Sequence, residues 1–305
     1  MRGCVSEVAV IEHKPVMCKE VIESLNLRPG LTIVDATLGL GAHASAILEK
    51  ISPKGRLIGI DRDTDSLEIA KNRLKVYEDN VSLVHADFRA IDKVFAQLNI
   101  KKIDGILFDL GVSSYQLDSQ DRGFSFRYDA PLDMRMDKTS YILAYDLVNN
   151  LTEKEISDIL WAFGEERWHN RIAKYLIQKR ALSPVTTTGQ LKEAVMKAIP
   201  HGGIHSTRIH PATRTFQAFR IAVNRELEAL EESLAKVPEF LKKGARVCVL
   251  SFHSLEDRIV KHNFKDNALK GIFRIITKKP LLPTRQEVID NPRARSVKMR
   301  VACKL

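Results

Sequence analysis

At 305 residues the chain is long enough to bury a substantial core and to divide into two domains, and its 44% hydrophobic and 28% charged residues are the balance of a soluble globular protein. No apolar run approaches the roughly 20 residues that span a bilayer. Residues 1–14 (MRGCVSEVAVIEHK) lack a basic stretch followed by an apolar one, so neither membrane insertion nor secretion is expected, and the cytoplasm is the expected location. The formal charge of +10 favours a polyanionic partner.

The predicted elements alternate regularly at first. TIVDA (32–36) is short, apolar and β-branched, which predicts a central strand. Gly39-Leu40-Gly41 follows, then a helix over 42–50 and a second strand, RLIGI (56–60), ending on Asp61. A helix over 65–77, a strand over 82–85, a helix over 90–98 and a strand over 103–110 complete a βαβαβαβ run, hence a parallel sheet with right-handed crossovers. Residues 111–136 form a loop rich in Ser, Asp, Gly and Arg, and loops of that length are usually functional. Helical periodicity then holds over 142–149, 153–163, 165–179 and 189–199, punctuated by Ser183-Pro184 and by Pro200 to Gly203. One long helix over 212–234 leads to a strand over 246–252, a helix over 255–264 and a closing pair of strands over 273–278 and 296–302. The predicted fold class is α/β: a Rossmann-like, mostly parallel sheet formed by 1–112 and 214–305, interrupted by a helical insertion over 113–213.

Charge is unevenly spread. Residues 165–220 carry 10 Lys/Arg against 3 acids and 242–304 carry 16 against 5, whereas 103–137 carry 3 Arg against 7 Asp. Basic segments following an acidic one fit a polyanion facing an acidic cleft, with a generally Lys-rich surface as the alternative. The four cysteines, Cys4, Cys18, Cys248 and Cys303, show no metal-binding spacing, so no metal site is expected, and Cys248 reads as a small core residue.

The chemistry concentrates at the strand ends. Glycines after the first strand let backbone approach a ligand, the following helix N-terminus favours negative groups, and an acid ending the next strand accepts hydrogen bonds from ribose hydroxyls. Gly39, Gly41, Ala42 and Asp61 thus predict a nucleotide-type cofactor, with NAD and S-adenosylmethionine both open, since GLGAHA also fits G-x-G-x-x-A. Asp87 and Phe88, after the third strand, are placed to bind an adenine ring. FDLGVSS (108–114) closes the fourth strand with Asp109 and resembles the short polar motif of methyltransferases acting on exocyclic amines, although Leu110-Gly111-Val112 departs from their Asp/Asn-Pro-Pro-aromatic pattern. Asp109 or a carbonyl after it is the candidate acceptor for an amine proton; a plain loop-capping role is the alternative. His253 with Glu256 and Asp257 stands at the mouth of the sheet, either at the site or beside a helix start capped by Ser254 with Glu256 and Asp257 in its first turn. Trp161, Phe163 and Trp168 read as helix core before base-stacking platforms, and Met134 and Met136 as packing or a lid.

Longer stretches carry a specific resemblance: HKPVM (13–17), FDLGVSS, RGFSF (122–126), PLDMRMD (131–137), GEER (164–167), HPATRTFQAFRIAVN (210–224), SFHSLEDRIVK (251–261) and NPRARS (291–296). In these the chain resembles the bacterial small-subunit ribosomal RNA cytosine-N4-methyltransferases, the RsmH/MraW family. The resemblance implies S-adenosyl-L-methionine as cofactor and a cytosine near the decoding centre, in small-subunit ribosomal RNA or the assembled small ribosomal subunit, as substrate. It further implies cofactor contacts at Gly41, Ala42, His43, Asp61, Phe88, Asp109 and Gln116. Ala42 stands where the family commonly has a second glycine, and Tyr115 where a proline is common. Arg214, Arg220, Arg293 and Arg295 are the arginines expected to reach RNA; for Arg214 and Arg220, holding the insertion against the core is the alternative.

Overall fold

The computed structural model describes residues 15–200 and 209–305. His13, Lys14, Cys4 and His201 to Gly203, which figure in the sequence reading, lie outside the described residues. Seven strands form one sheet: β1 (Thr32–Asp35), β2 (Arg56–Asp61), β3 (Val81–His85), β4 (Ile103–Asp109), β5 (Leu241–Ser251), β6 (Phe273–Ile275) and β7 (Lys298–Lys304). Their order is β3-β2-β1-β4-β5-β7-β6. β1 to β5 run parallel, and β7 pairs antiparallel with both β5 and β6.

The strands are apolar on both faces because helices cover both. On one side the helices Cys18–Leu25 and Ala42–Ile51 bury Val21, Leu25, Ile47 and Leu48 against Ile33, Leu57 and Leu107. On the other, Ile91–Gln97, Glu226–Phe240 and Ser254–Leu269 pack Phe95, Leu234 and Phe264 against Val34, Ile58 and Ile106. Both faces being covered explains why the strands read as continuous apolar runs. Between β4 and β5 a third cluster gathers Met134, Leu160, Ile172, Leu176, Leu191, Phe216 and Phe219 from helices and from the long loop.

Boundaries differ from the sequence reading where polar groups end a helix. The helix expected over 212–234 is two, Ala212–Asn224 and Glu226–Phe240, because Arg225 adopts a left-handed backbone (φ 48°). The first half packs in the helical cluster and the second on the sheet, so the chain crosses from one to the other at that break, beyond the expected return at residue 214. The helix expected from residue 165 begins at His169, since Glu165 is itself left-handed (φ 47°). β5 is longer than expected: residues 241–245 join it through an irregularity opposite Ile103 and Gly105. The loop over 111–136 contains a short helix, Ser114–Asp118.

Candidate active site

Reversal of strand order between β1 and β4 leaves a crevice at the carboxyl ends of the strands, the usual ligand position in an open α/β sheet. Here it is a cavity of about 420 Å³, lined by the loop after β1, the ends of β2 and β4, the long loop and the start of the helix Glu226–Phe240. Gly39 (φ 51°) lies in its wall, and a Cβ there would meet nothing nearer than the Thr37 carbonyl at 3.9 Å. Gly41 (φ 75°) is not in the wall: a Cβ there would press Ala70 at 3.3 Å, so this glycine sets the helix start and its packing. Ala42 and His43, in the first helical turn, do line the cavity.

Asp61 accepts one backbone N–H on each carboxyl oxygen. Its Oδ2 accepts from Gly39 N at 2.7 Å and its Oδ1 from Asp63 N at 2.8 Å. Burial raises its pKa while these two donors pull the other way. Asp63, absent from the sequence reading, is fully buried; it caps the helix Thr64–Arg73 and accepts from Gln116 Nε2 at 2.6 Å. Gln116 therefore lines the cavity with its amide already committed to Asp63 and to the capping box of its own helix. Phe88 forms wall, with its ring edge-on to Phe108 at 5.7 Å and the Arg62 guanidinium 5.5 Å above it. Asp87 does not line the cavity; it caps the turn at Phe88 by accepting from Arg89 N at 2.9 Å and lies 3.5 Å from Arg62.

The opposite end is acidic and sparsely hydrogen-bonded. Asp109 ends β4, where its N–H donates to Thr37 Oγ1 at 2.6 Å. Its Oδ2 lies 3.6 Å from His43 Nε2, while its shielded Oδ1 has no hydrogen-bond donor among the described residues. Burial, with Asp35 and Glu256 nearby, pushes the Asp109 carboxyl up to about 8. Buried Asp35 itself is raised to about 7, chiefly by burial, with its Oδ1 accepting from Thr37 N. Cys248 is buried in β5, as read from sequence, and burial and Asp109 push its thiol up.

Glu256 lines the cavity too: its Oε2 accepts from Phe252 N at 2.7 Å, and His253 caps the helix from which it projects. The helix is capped, but by His253 rather than Ser254, whose hydroxyl donates to Glu165 instead, and of the motif only Glu256 lines the cavity. Neighbouring His253 and Arg220 keep the Glu256 carboxyl below its ordinary range despite burial. Glu226, His253 and Glu256 bring ligand atoms within 4.8 Å of one another. Arg220 already neutralises Glu226, and His253 Nδ1 accepts from Glu256 N, which leaves the proton on Nε2; this chemistry suits a charge-balanced wall rather than a cation.

Of the four arginines expected at RNA, Arg220 lies in the cavity wall with its fork closed on Glu226 at 2.8 and 2.9 Å. Arg293 also lines the cavity and holds Asp118 bidentately at 2.7 and 2.9 Å. Arg214 donates to the Glu165 carbonyl at 3.1 Å at the exposed edge of the helical segment. Arg295 is exposed, with no ion pair or hydrogen bond among the described residues. Trp161 is 60% exposed beside His169, whereas Trp168 is half-buried. Sequence reasoning missed Asp35, Asp63 and Glu226. Asp63-Thr64-Asp65 is a helix-start signal that marks Asp63, but nothing local marks Glu226, because its role depends on the break before it.

The model of the MraW methylase family matches residues 10–305. The chain belongs to that family. A protein named ribosomal RNA small subunit methyltransferase H from Geotalea uraniireducens is 49% identical over 308 residues, covering 96% of this chain and 98% of that one. Another of the same name from Caldicellulosiruptor bescii is 46% identical, covering 97% and 100%. A solved structure from Clostridium thermocellum, described there as a candidate rRNA methylase, shares 13% identity at TM-score 0.50 over 96% of this chain and 100% of that one, a likeness of fold. S-adenosyl-L-methionine, the cofactor of such a methylase, suits the lining residues: an open glycine wall, the Asp61 carboxylate beside it and the Phe88 ring.

Proposed function

We propose that this methylase transfers a methyl group from S-adenosyl-L-methionine to the exocyclic N4 amine of a cytosine in the decoding region of small-subunit ribosomal RNA, acting in the cytoplasm. The observation that carries the reading is Asp109 in the cavity wall at the end of β4, with a carboxyl oxygen that meets no hydrogen-bond donor among the described residues. The cytosine amine is a poor nucleophile, since its lone pair is delocalised into the ring. An acceptor on its N–H draws the nitrogen toward tetrahedral geometry and frees that pair. The cofactor supplies an activated methyl on a positive sulfur. As the nitrogen–carbon bond forms and the sulfur–carbon bond breaks, one N4 proton must leave, and Asp109 is positioned to take it.

Other groups hold the reactants. Asp61, with the backbone of Gly39, supports the ribose; His43 borders Asp109; Phe88 offers its face to adenine. Arg220 Nη1, without a partner among the described residues, is available to a cytosine O2 or N3. The target base must leave its stack to enter such a cavity, which single-stranded or looped RNA permits at low cost. Arg214 and Arg295, outside the cavity, are the arginines assigned to phosphate contacts, and the names of the relatives support the ribosomal substrate.

The test incubates the enzyme with methyl-labelled S-adenosyl-L-methionine and either naked small-subunit rRNA or assembled small subunits, then digests the RNA to nucleosides for mass spectrometry. Label in N4-methylcytidine is expected, and the better substrate identifies the physiological one. Label on a ribose or on another ring position overturns the chemistry. RNA binding without any transfer points instead to an assembly factor that retains the fold.

A further inference from the structure

The long loop over 111–136 covers one side of the cavity, and two buried side chains fasten it. Asn224, at the end of the helix Ala212–Asn224, accepts from Met136 N at 2.7 Å and donates to the Met134 carbonyl at 2.8 Å. The second fastening is Arg122, only 4% exposed. Its guanidinium donates to the carbonyls of Arg135 and Met136 at 3.0 and 3.1 Å, and so gathers the far end of its own loop. The same fork meets Asp63 Oδ2 at 3.0 Å and Asp65 Oδ2 at 3.2 Å.

Asp63 leads straight to the cofactor side. Its backbone N–H holds Asp61 Oδ1, and Asp61 Oδ2 holds the N–H of Gly39 in the cavity wall. Its own carboxylate is shared between Arg122 and Gln116, both borne by the loop. A continuous chain of charge-assisted bonds thus runs from the loop through Arg122, Asp63 and Asp61 to the glycine turn. The loop cannot shift without moving Asp63, and Asp63 cannot move without releasing one of the two donors that orient Asp61. The planar five-donor fork suits the task, because an ammonium cannot meet two carboxylates and two carbonyls together.

We propose that Arg122 is a positioning residue that makes cofactor and RNA bind cooperatively, by tying the loop that faces the substrate to the carboxylate that holds the ribose. The inference rests on the reading of Asp61 given under the proposed function. Linkage requires the effect to be reciprocal: cofactor tightens RNA by the same factor that RNA tightens cofactor.

The experiment measures calorimetric affinity for S-adenosyl-L-homocysteine, which fills the site without transferring a methyl, in the absence and presence of saturating small-subunit rRNA. In the native enzyme RNA should tighten binding on the order of 5- to 150-fold, the usual range for coupled sites. Arg122→Gln should bring that factor close to one, and Arg122→Lys should restore part of it. A purely structural role would lower the melting temperature of Arg122→Gln and leave the factor unchanged, which would overturn the proposal; so would a native enzyme without coupling. If Arg122→Gln does not fold, Asp65→Asn removes one carboxylate from the fork at a half-exposed position and should also reduce the factor. An unchanged factor there would likewise overturn the proposal. Asp61→Ala, measured in parallel, separates the two levels: undiminished cofactor affinity would overturn the ribose reading and the inference with it, whereas lost affinity beside intact coupling in Arg122→Gln would sink the inference alone.

Discussion

Asp61 and Asp109 end neighbouring regions of one sheet, line the same cavity and are both pushed above the usual carboxylate range by burial, yet their surroundings differ. Asp61 has a backbone N–H on each oxygen, fixing it in one orientation. Asp109 has an oxygen with no donor, lies near two further carboxyl groups, and is raised to about 8. Strand-end position brings both acids to the ligand; the loop that follows decides their use. After Asp61 the chain turns back and supplies the Asp63 amide, and the glycine turn after β1 supplies a second, which suits holding a hydroxyl. After Asp109 it leaves through Leu110 and Gly111 and supplies none, which suits exchanging a proton.

The sharpest way to break this contrast is substitution at Asp109. Asp109→Asn should lower the single-turnover methyl-transfer rate by about 10²–10³ at saturating cofactor and RNA, the usual effect of losing a contact made mainly in the transition state. A near-native rate would make Asp109 a second Asp61. Asp61→Ala should act on binding instead, weakening cofactor affinity roughly 10- to 150-fold, from the 1.5–3 kcal/mol of a charged hydrogen bond, with the fold intact by circular dichroism.

Changing pH sharpens the contrast further. A carboxyl that holds its proton up to about 8 accepts another only once ionised, so the native transfer rate should rise about tenfold per unit below that pH and level off above it. The positive sulfur of the bound cofactor moves the midpoint down, and Asp109→Asn should lack the limb. Stability runs the other way. The folded state binds this proton more tightly than the unfolded chain, whose carboxyl titrates near 4. The resulting stabilisation is complete below that value and is lost as pH rises toward 8. The melting temperature should therefore fall more steeply between pH 4 and 8 in the native enzyme than in Asp109→Asn. The smallest effect belongs to the surface: Arg295→Ala should reduce the salt slope of RNA binding by about one and leave cofactor affinity unchanged. An unchanged slope would make Arg295 a solvated charge only.

Much of the sheet was legible because β1 to β4 are short β-branched runs punctuated by glycine and aspartate, and the acids that end β2 and β4 can be numbered from that pattern alone. Legibility failed where a long-range contact overrides local preference. Helical periodicity runs unbroken through Asn224 and Arg225, but Asn224 spends its amide on Met134 and Met136, about 90 positions earlier, and the helix breaks there. Glu165 likewise reads as helical, while its side chain accepts from Ser254 and Arg258 on the far side of the chain. Asp35 was hidden inside a strand pattern that gives no sign of its neighbour Asp109.

The placement of β7 between β5 and β6 bears on how the molecule is assembled. β6 is made first but has no partner until β7 arrives, and until then β5, with buried Val247, Cys248 and Val249, is an open edge. A nascent chain that has emerged only as far as β6 therefore displays one edge of β5, with its buried Val-Cys-Val run, unpaired, the kind of edge that templates aggregation. Proteolytic clipping ahead of Lys298 would recreate that state in the finished protein. Such a fragment should be lost to insoluble material even though every group proposed to touch cofactor remains in its sequence.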